Sequence, residues 1–221
     1  MKTKINLPTK ITLARIVLVA VLLVVLLVFS ILGRYGLYED IVLGDTGISL
    51  IYLIAFIVFV IAASTDAVDG HLARKWNMVT DLGKFLDPIA DKMLVNSMLI
   101  FLCVPSSFAS NQLTIPVFCV ILMVLRDLVV DTLRFVAANK GVVLAANIFG
   151  KLKTVAQMVA IPVVLLNGFP FSYFDASWRV YGLSIAHILI YIATILSILS
   201  GIIYVVQNKA VLKETKEQTH E

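Results

Sequence analysis

Six long apolar stretches divide the chain, at residues 9–32, 47–64, 85–104, 113–138, 149–166 and 181–207, with short polar connections between them. A bilayer core takes about 20 residues of α-helix, and a helix satisfies its own backbone hydrogen bonds in lipid. The pattern therefore predicts an all-α membrane protein with six transmembrane helices. The first stretch is long enough to span and is followed by no small-residue cleavage site, so it reads as a membrane helix and not a signal peptide. Pro8 suits a first helical turn and Asn6 a cap before it. With no internal repeat and no low-complexity tract, residues 1–221 read as one integral-membrane domain. Residues 1–8 form a juxtamembrane lead-in, 33–45 and 167–177 exterior loops, and 209–221 a polar tail.

The charges between the stretches assign sides. Lys2, Lys4 and Lys10 precede the first helix, Arg74, Lys75 and Lys84 separate the second from the third, Lys140, Lys151 and Lys153 the fourth from the fifth, and Lys209, Lys213 and Lys216 follow the sixth. The alternate loops hold Arg34 and Arg179 beside Glu39, Asp40, Asp45 and Asp175. By the positive-inside rule both termini face the cytoplasm, and an even span count agrees in putting them on one side.

Composition narrows the classes. At 60% hydrophobic and 14% charged over 221 residues, there is too much apolar surface for a soluble domain to hide. The net charge of +4 comes from scattered lysines and arginines with no basic block, which argues against nucleic acid as a partner. Cys103 and Cys119 lie in apolar segments without thiolate-metal spacing and read as buried thiols.

One segment breaks the apolar pattern: D-x2-D-G-x2-A-R-x8-G-x3-D-x3-D, from Asp66 to Asp91. Asp66 and Asp69 are three apart at the end of the second helix, Asp87 and Asp91 four apart at the start of the third, so each pair shares a helix face. Four carboxylates brought together repel unless cations neutralise them. An oxygen-only donor set favours hard divalent ions, Mg²⁺ first and Mn²⁺ next. Gly70 and Ala73 leave room against the backbone, Gly83 clears the mouth of the third helix, and Arg74 offers a fork for phosphate. A single acidic pair near a membrane surface is often only solvated charge, but solvated charge gives no reason for the small residues and the arginine between the pairs. His71 and His187 read as packed or hydrogen-bonded side chains, and Trp76, Trp178, Tyr173 and Tyr181 as interfacial aromatics.

This pattern resembles the signature of the CDP-alcohol phosphatidyltransferases, six-helix membrane enzymes that generally form homodimers. The resemblance implies that Asp66, Asp69, Asp87 and Asp91 hold two divalent cations, with Asp91 also the general base. It implies too that Asp69, Gly70, Ala73, Arg74, Thr80 and Gly83 line the site of the CDP-linked donor. The likeness covers nearly the whole chain. N-L-P-T-K-I-T-L-A-R (Asn6 to Arg15), R-D-L-V-V-D-T-L-R (Arg126 to Arg134) and G-K-L-K-T (Gly150 to Thr154) are similar to segments of the bacterial phosphatidylglycerophosphate synthases. Those enzymes transfer a phosphatidyl group from CDP-diacylglycerol to glycerol 3-phosphate, which implies a plasma-membrane enzyme whose site faces the cytoplasm.

The later segments bear on the acceptor. Arg126 and Arg134 are eight apart, about 12 Å of helix rise and nearly one face, and Lys151 and Lys153 open the fifth helix at the same level. Four cations suit an acceptor that carries its own phosphate. Simple pairing of the arginines with Asp127 and Asp131, and topology marking by the lysines, is the plainer reading. Asp127 stands where the synthases usually carry Glu, and Asp131 where they carry a small or hydroxyl residue. A cardiolipin synthase or a phosphatidylinositol phosphate synthase would keep donor and fold and change the acceptor. A cation transporter would need broken helices and polar residues at the midplane of several spans, whereas these charges gather at the cytoplasmic ends.

Overall fold

The computed structural model describes residues 6–44, 47–75, 81–109, 112–142, 144, 148–174 and 184–209, and within these it leaves out the side chains of 67–75, 81, 82, 84 and 85. Six helices account for most of these residues: α1 (Leu7–Arg34), α2 (Leu50–Lys75), α3 (Asp81–Cys103), α4 (Val117–Asn139), α5 (Ile148–Leu165) and α6 (Ile185–Gln207). A two-stranded antiparallel ribbon, β1 (Val42–Leu43) and β2 (Ile48–Ser49), links α1 to α2.

Where the boundaries differ from the apolar pattern, local chemistry explains it. α2 runs past Ser64 through the aspartates to Lys75, because backbone hydrogen bonding does not stop where side chains become polar. α4 begins after Pro116 and not at Leu113, since the residue before a proline is pushed away from helical geometry. At α6 the Ser184 side chain accepts a hydrogen bond from the His187 backbone N–H, a serine N-cap. Asn6 does occupy the N-cap position of α1, but its side chain makes no capping bond.

Neighbouring helices alternate in direction. Thr12 and Arg15 near the start of α1 meet α3 and α2 at Asp87 and Asp66, while the end of α3 meets the start of α4 through Ile115 N–H to Leu102 O at 2.9 Å. The most extensive packing is of α5 on α6, then α4 on α6. The buried face of α6 is Ala186, Ile190, Ala193, Thr194, Ser197, Ser200, Gly201 and Tyr204. Small residues at three- and four-residue spacing let helices approach closely where lipid removes the hydrophobic drive for association. The opposite face exposes Ile192, Ile195, Leu199, Ile202 and Val206, and α1 likewise exposes Val17, Val21, Val24, Leu27 and Ile31. Apolar surface of this extent calls for lipid, not water.

Among the described residues three helical segments, Thr9–Arg34, Ile148–Leu165 and Ile185–Gln207, are long and apolar enough to cross a bilayer, and Leu50–Asp66 is a shorter apolar segment. The chain is a mostly helical membrane protein. α3 and α4 carry charged residues along their length, which lowers their apolar content.

Candidate active site

Two adjoining groups of charge occupy one end of the bundle. The first gathers on α1. Arg15 is only 2% exposed and ion-pairs with Asp66, and Thr12, 1% exposed, donates a 2.8 Å hydrogen bond to Asp87. Thr12 and Arg15 are one helical turn apart, so a single patch of α1 meets the carboxylates of both α2 and α3. Asp91 lies a turn beyond Asp87, within electrostatic reach of Asp66, Arg15, Lys92 and Lys153.

The second group surrounds a cavity of about 240 Å³ among α3, α4, α5 and α6. Asp91 lines it together with Arg126, Arg134, Lys151 and Lys153, so the general-base candidate and all four cations expected to hold an acceptor phosphate share one wall-to-wall space. Lys92, Asp127 and Asp131 also line it, giving five basic side chains against three carboxylates.

The pairing inside this cavity is selective. Asp127, 6% exposed, accepts from Lys153 Nζ at 2.6 and 2.7 Å through both oxygens and from Arg126 Nη1 at 3.0 Å. Buried charges need such partners, because leaving one uncompensated costs about 3–5 kcal/mol. Arg126 Nη2 also donates to Ser200, and its buried Nε has no partner among the described residues. The Arg134–Asp131 pair of the plainer reading does not form: Asp131 pairs with Lys92, and Arg134 donates through Nε to the Tyr204 hydroxyl at 3.1 Å with its guanidinium over the Tyr204 ring. Lys92 thereby offsets the negative charge that Asp131 adds. Lys151 is exposed and has no hydrogen-bond or ion-pair partner among the described residues.

The remaining candidates are less fully described. Asp69, Gly70, Ala73 and Arg74 lie on the last turns of α2 with side chains outside the described residues, and Thr80 lies outside them altogether. Gly83 is buried in the first turn of α3. Among the described residues no three acidic, histidine or cysteine side chains form a ready ligand cluster, and that set omits the Asp69 carboxylate. What is described fits a hard cation nonetheless, because Asp66, Asp87 and Asp91 supply oxygen donors only, and Arg15 already shows that Asp66 takes a cationic partner. His187 is the hydrogen-bonded side chain expected, its ring nitrogens 2.8 Å from Ser184 Oγ and 3.0 Å from Thr114 O.

The sequence pattern gave no role to Thr12, Arg15, Ser200 or Tyr204. A threonine and an arginine in a membrane helix, one turn apart, were the available signal for the first two.

A family model described as CDP-alcohol phosphatidyltransferase matches residues 5–200. A relative from Bacillus subtilis (strain 168) is 39% identical over 208 residues, covering 94% of this chain and 97% of its own length. Another from Mycoplasma pneumoniae is 36% identical, covering 94% and 89%, and one from Rickettsia bellii is 32% identical, covering 92% and 96%. All three bear the name CDP-diacylglycerol--glycerol-3-phosphate 3-phosphatidyltransferase.

Proposed function

Since the chain belongs to the CDP-alcohol phosphatidyltransferase family, we propose that it transfers the phosphatidyl group of CDP-diacylglycerol to glycerol 3-phosphate, releasing CMP and forming phosphatidylglycerol phosphate. The relatives' shared name supports donor and acceptor alike. The observation that carries the acceptor half is the cavity in which Asp91 and the four cations meet, with positive charge in excess.

The chain's own groups divide the work. Arg126, Arg134, Lys151 and Lys153 hold the acceptor phosphate, directing its hydroxyl toward Asp91, which takes the proton as the hydroxyl oxygen attacks the donor's phosphorus. Asp69, Gly70, Ala73, Arg74, Thr80 and Gly83 accommodate the cytidine diphosphate, the small residues by leaving space and Arg74 by its fork. Thr12 and Arg15 fix the carboxylates of Asp87 and Asp66. Asp66, Asp69, Asp87 and Asp91 would hold two divalent cations, Mg²⁺ or Mn²⁺, whose charge stabilises the diphosphate and the departing CMP. The donor's acyl chains stay in lipid while its headgroup meets the aspartates.

We place the protein in the plasma membrane as one domain with six spans, both termini and the site facing the cytoplasm, and as a homodimer. The basic residues at the Asp91 end support that orientation. Purified protein given CDP-diacylglycerol and Mg²⁺ tests the activity by CMP release, with glycerol 3-phosphate, inositol phosphate or phosphatidylglycerol supplied in turn. Release that depends on glycerol 3-phosphate is expected. No CMP release with any of the three sinks the enzyme reading, and preference for another acceptor changes the assignment within the family.

A further inference from the structure

On α6, a helix to which the motif reading gave no role, Ser200, Gly201 and Tyr204 face the two arginines of α4. Ser200 and Tyr204 are buried, at 0% and 2% exposed, and accept hydrogen bonds from Arg126 Nη2 and Arg134 Nε. Gly201 contributes by what it lacks. A Cβ there would stand 2.7 Å from Arg126 Cγ, closer than side-chain carbons approach, and 3.6 Å from Nε, the guanidinium nitrogen with no partner among the described residues. Cγ lies near the root of the arginine side chain, so it cannot swing away without moving the guanidinium off Asp127 and Ser200.

We propose that Ser200, Gly201 and Tyr204 are positioning residues for the acceptor: Gly201 opens the slot in which Arg126 lies, and the two hydroxyls set the directions of Arg126 and Arg134 toward the acceptor's phosphate. This rests on the acceptor reading above and assigns to α6 the orientation of groups that α4 supplies. A small-residue face packs helices in any membrane bundle. Here two members of that face also bond guanidinium groups that line the cavity, and a third abuts one of them.

The test is steady-state CMP release by the full chain in detergent, with each substrate varied, for Gly201→Ala, Ser200→Ala, Arg126→Ala and the double variant Gly201→Ala/Arg126→Ala. Misdirecting one charge-assisted contact predicts a KM for glycerol 3-phosphate raised ~10-fold by Gly201→Ala and about 5-fold by Ser200→Ala. The KM for CDP-diacylglycerol should stay within about twofold in both. If the methyl acts through Arg126, the double variant is no worse than Arg126→Ala alone; if Gly201 matters only for packing, the two losses multiply.

A glycerol 3-phosphate KM unchanged in Gly201→Ala, or full multiplication in the double variant, overturns the inference. Should Gly201→Ala fail to fold, Ser200→Ala, which adds no atom, carries the same test in combination with Arg126→Ala. The two levels separate cleanly. Arg126→Ala acting equally on both substrates removes the acceptor reading and this inference with it, whereas a selective Arg126→Ala beside silent Gly201→Ala and Ser200→Ala removes this inference alone.

Discussion

The two ends of the helix bundle are both rich in polar groups, and they use them differently. At the end where α3 hands over to α4, side chains bond chiefly to backbone, the Ser49–Asp40 and Ser184–His187 pairs aside. Asn167 donates to Gly47 O and accepts from Leu113 N–H, both at 3.1 Å, Gln112 donates to Val164 O at 2.8 Å, and Ser107 donates to Ser30 O at 2.6 Å. Tyr38 packs edge-on between Phe29 and Phe108, and a Cβ on Gly33 would come within 2.6 Å of Phe108 Cβ. At the Asp91 end the bonds join charged or hydroxyl side chains to one another: Arg15 to Asp66, Thr12 to Asp87, Lys92 to Asp131, and Arg126 and Lys153 to Asp127. A side chain bonded to backbone fixes a loop in place. Charges bonded to each other remain available to an ionic ligand that offers comparable interactions, so one end closes the bundle and the other can bind.

Substitutions that damage one end and spare the other break or sharpen this contrast. The largest effect belongs to Asp87→Asn, which removes a charged metal-ligand candidate. Turnover should fall more than ~10³-fold, corresponding to several kcal/mol of lost stabilisation of transferring phosphoryl charge, while the melting temperature in detergent stays near that of the parent. Loss of folding instead would mean that Asp87 serves the structure. Next, Arg126→Ala should raise the KM for glycerol 3-phosphate by roughly 10–100-fold through lost charge-assisted contacts, with far less effect on the CDP donor. Thr12→Val keeps the shape and deletes the hydroxyl on Asp87, and a loss of about tenfold in Mg²⁺-dependent activity is expected of a group that orients a ligand; an unchanged Mg²⁺ titration would reduce Thr12 to packing.

How much of this was legible in the sequence follows from the range of the interactions. The six helices were legible because apolar runs are local, and the acidic pairs because their spacing within two helix ends is local too. Thr12 and Arg15 bond to partners 75 and 51 residues away, and Ser200 to one 74 away, so no window of pattern joins them. Lys153 read as an open phosphate ligand or a topology marker. In the fold it is 6% exposed and held by both oxygens of Asp127, a pairing hidden until α4 and α5 pack. The slot at Gly201 was likewise invisible, since a glycine in an apolar helix reads as a packing contact until the side chain lying against it is known.

The smallest effect on catalysis should come from the closed end. Asn167 sits at φ 55 and its side chain bonds to Gly47 O and Leu113 N–H, and Asn167→Ala loses these bonds and places alanine in left-handed geometry. Stability should drop by roughly 2–3 kcal/mol, read as a lower melting temperature, with both KM values at the parent level. A selective change in either KM would mean that the two ends are not separable in this way.

The central claim is that the cavity beside Asp91 recognises its acceptor by phosphate. It is tested most directly by comparing kcat/KM for glycerol 3-phosphate with that for glycerol, which offers the same hydroxyl without the charge. Two or more lost charge-assisted contacts predict a preference of at least ~10³-fold for the phosphate; glycerol accepted nearly as well would contradict the account.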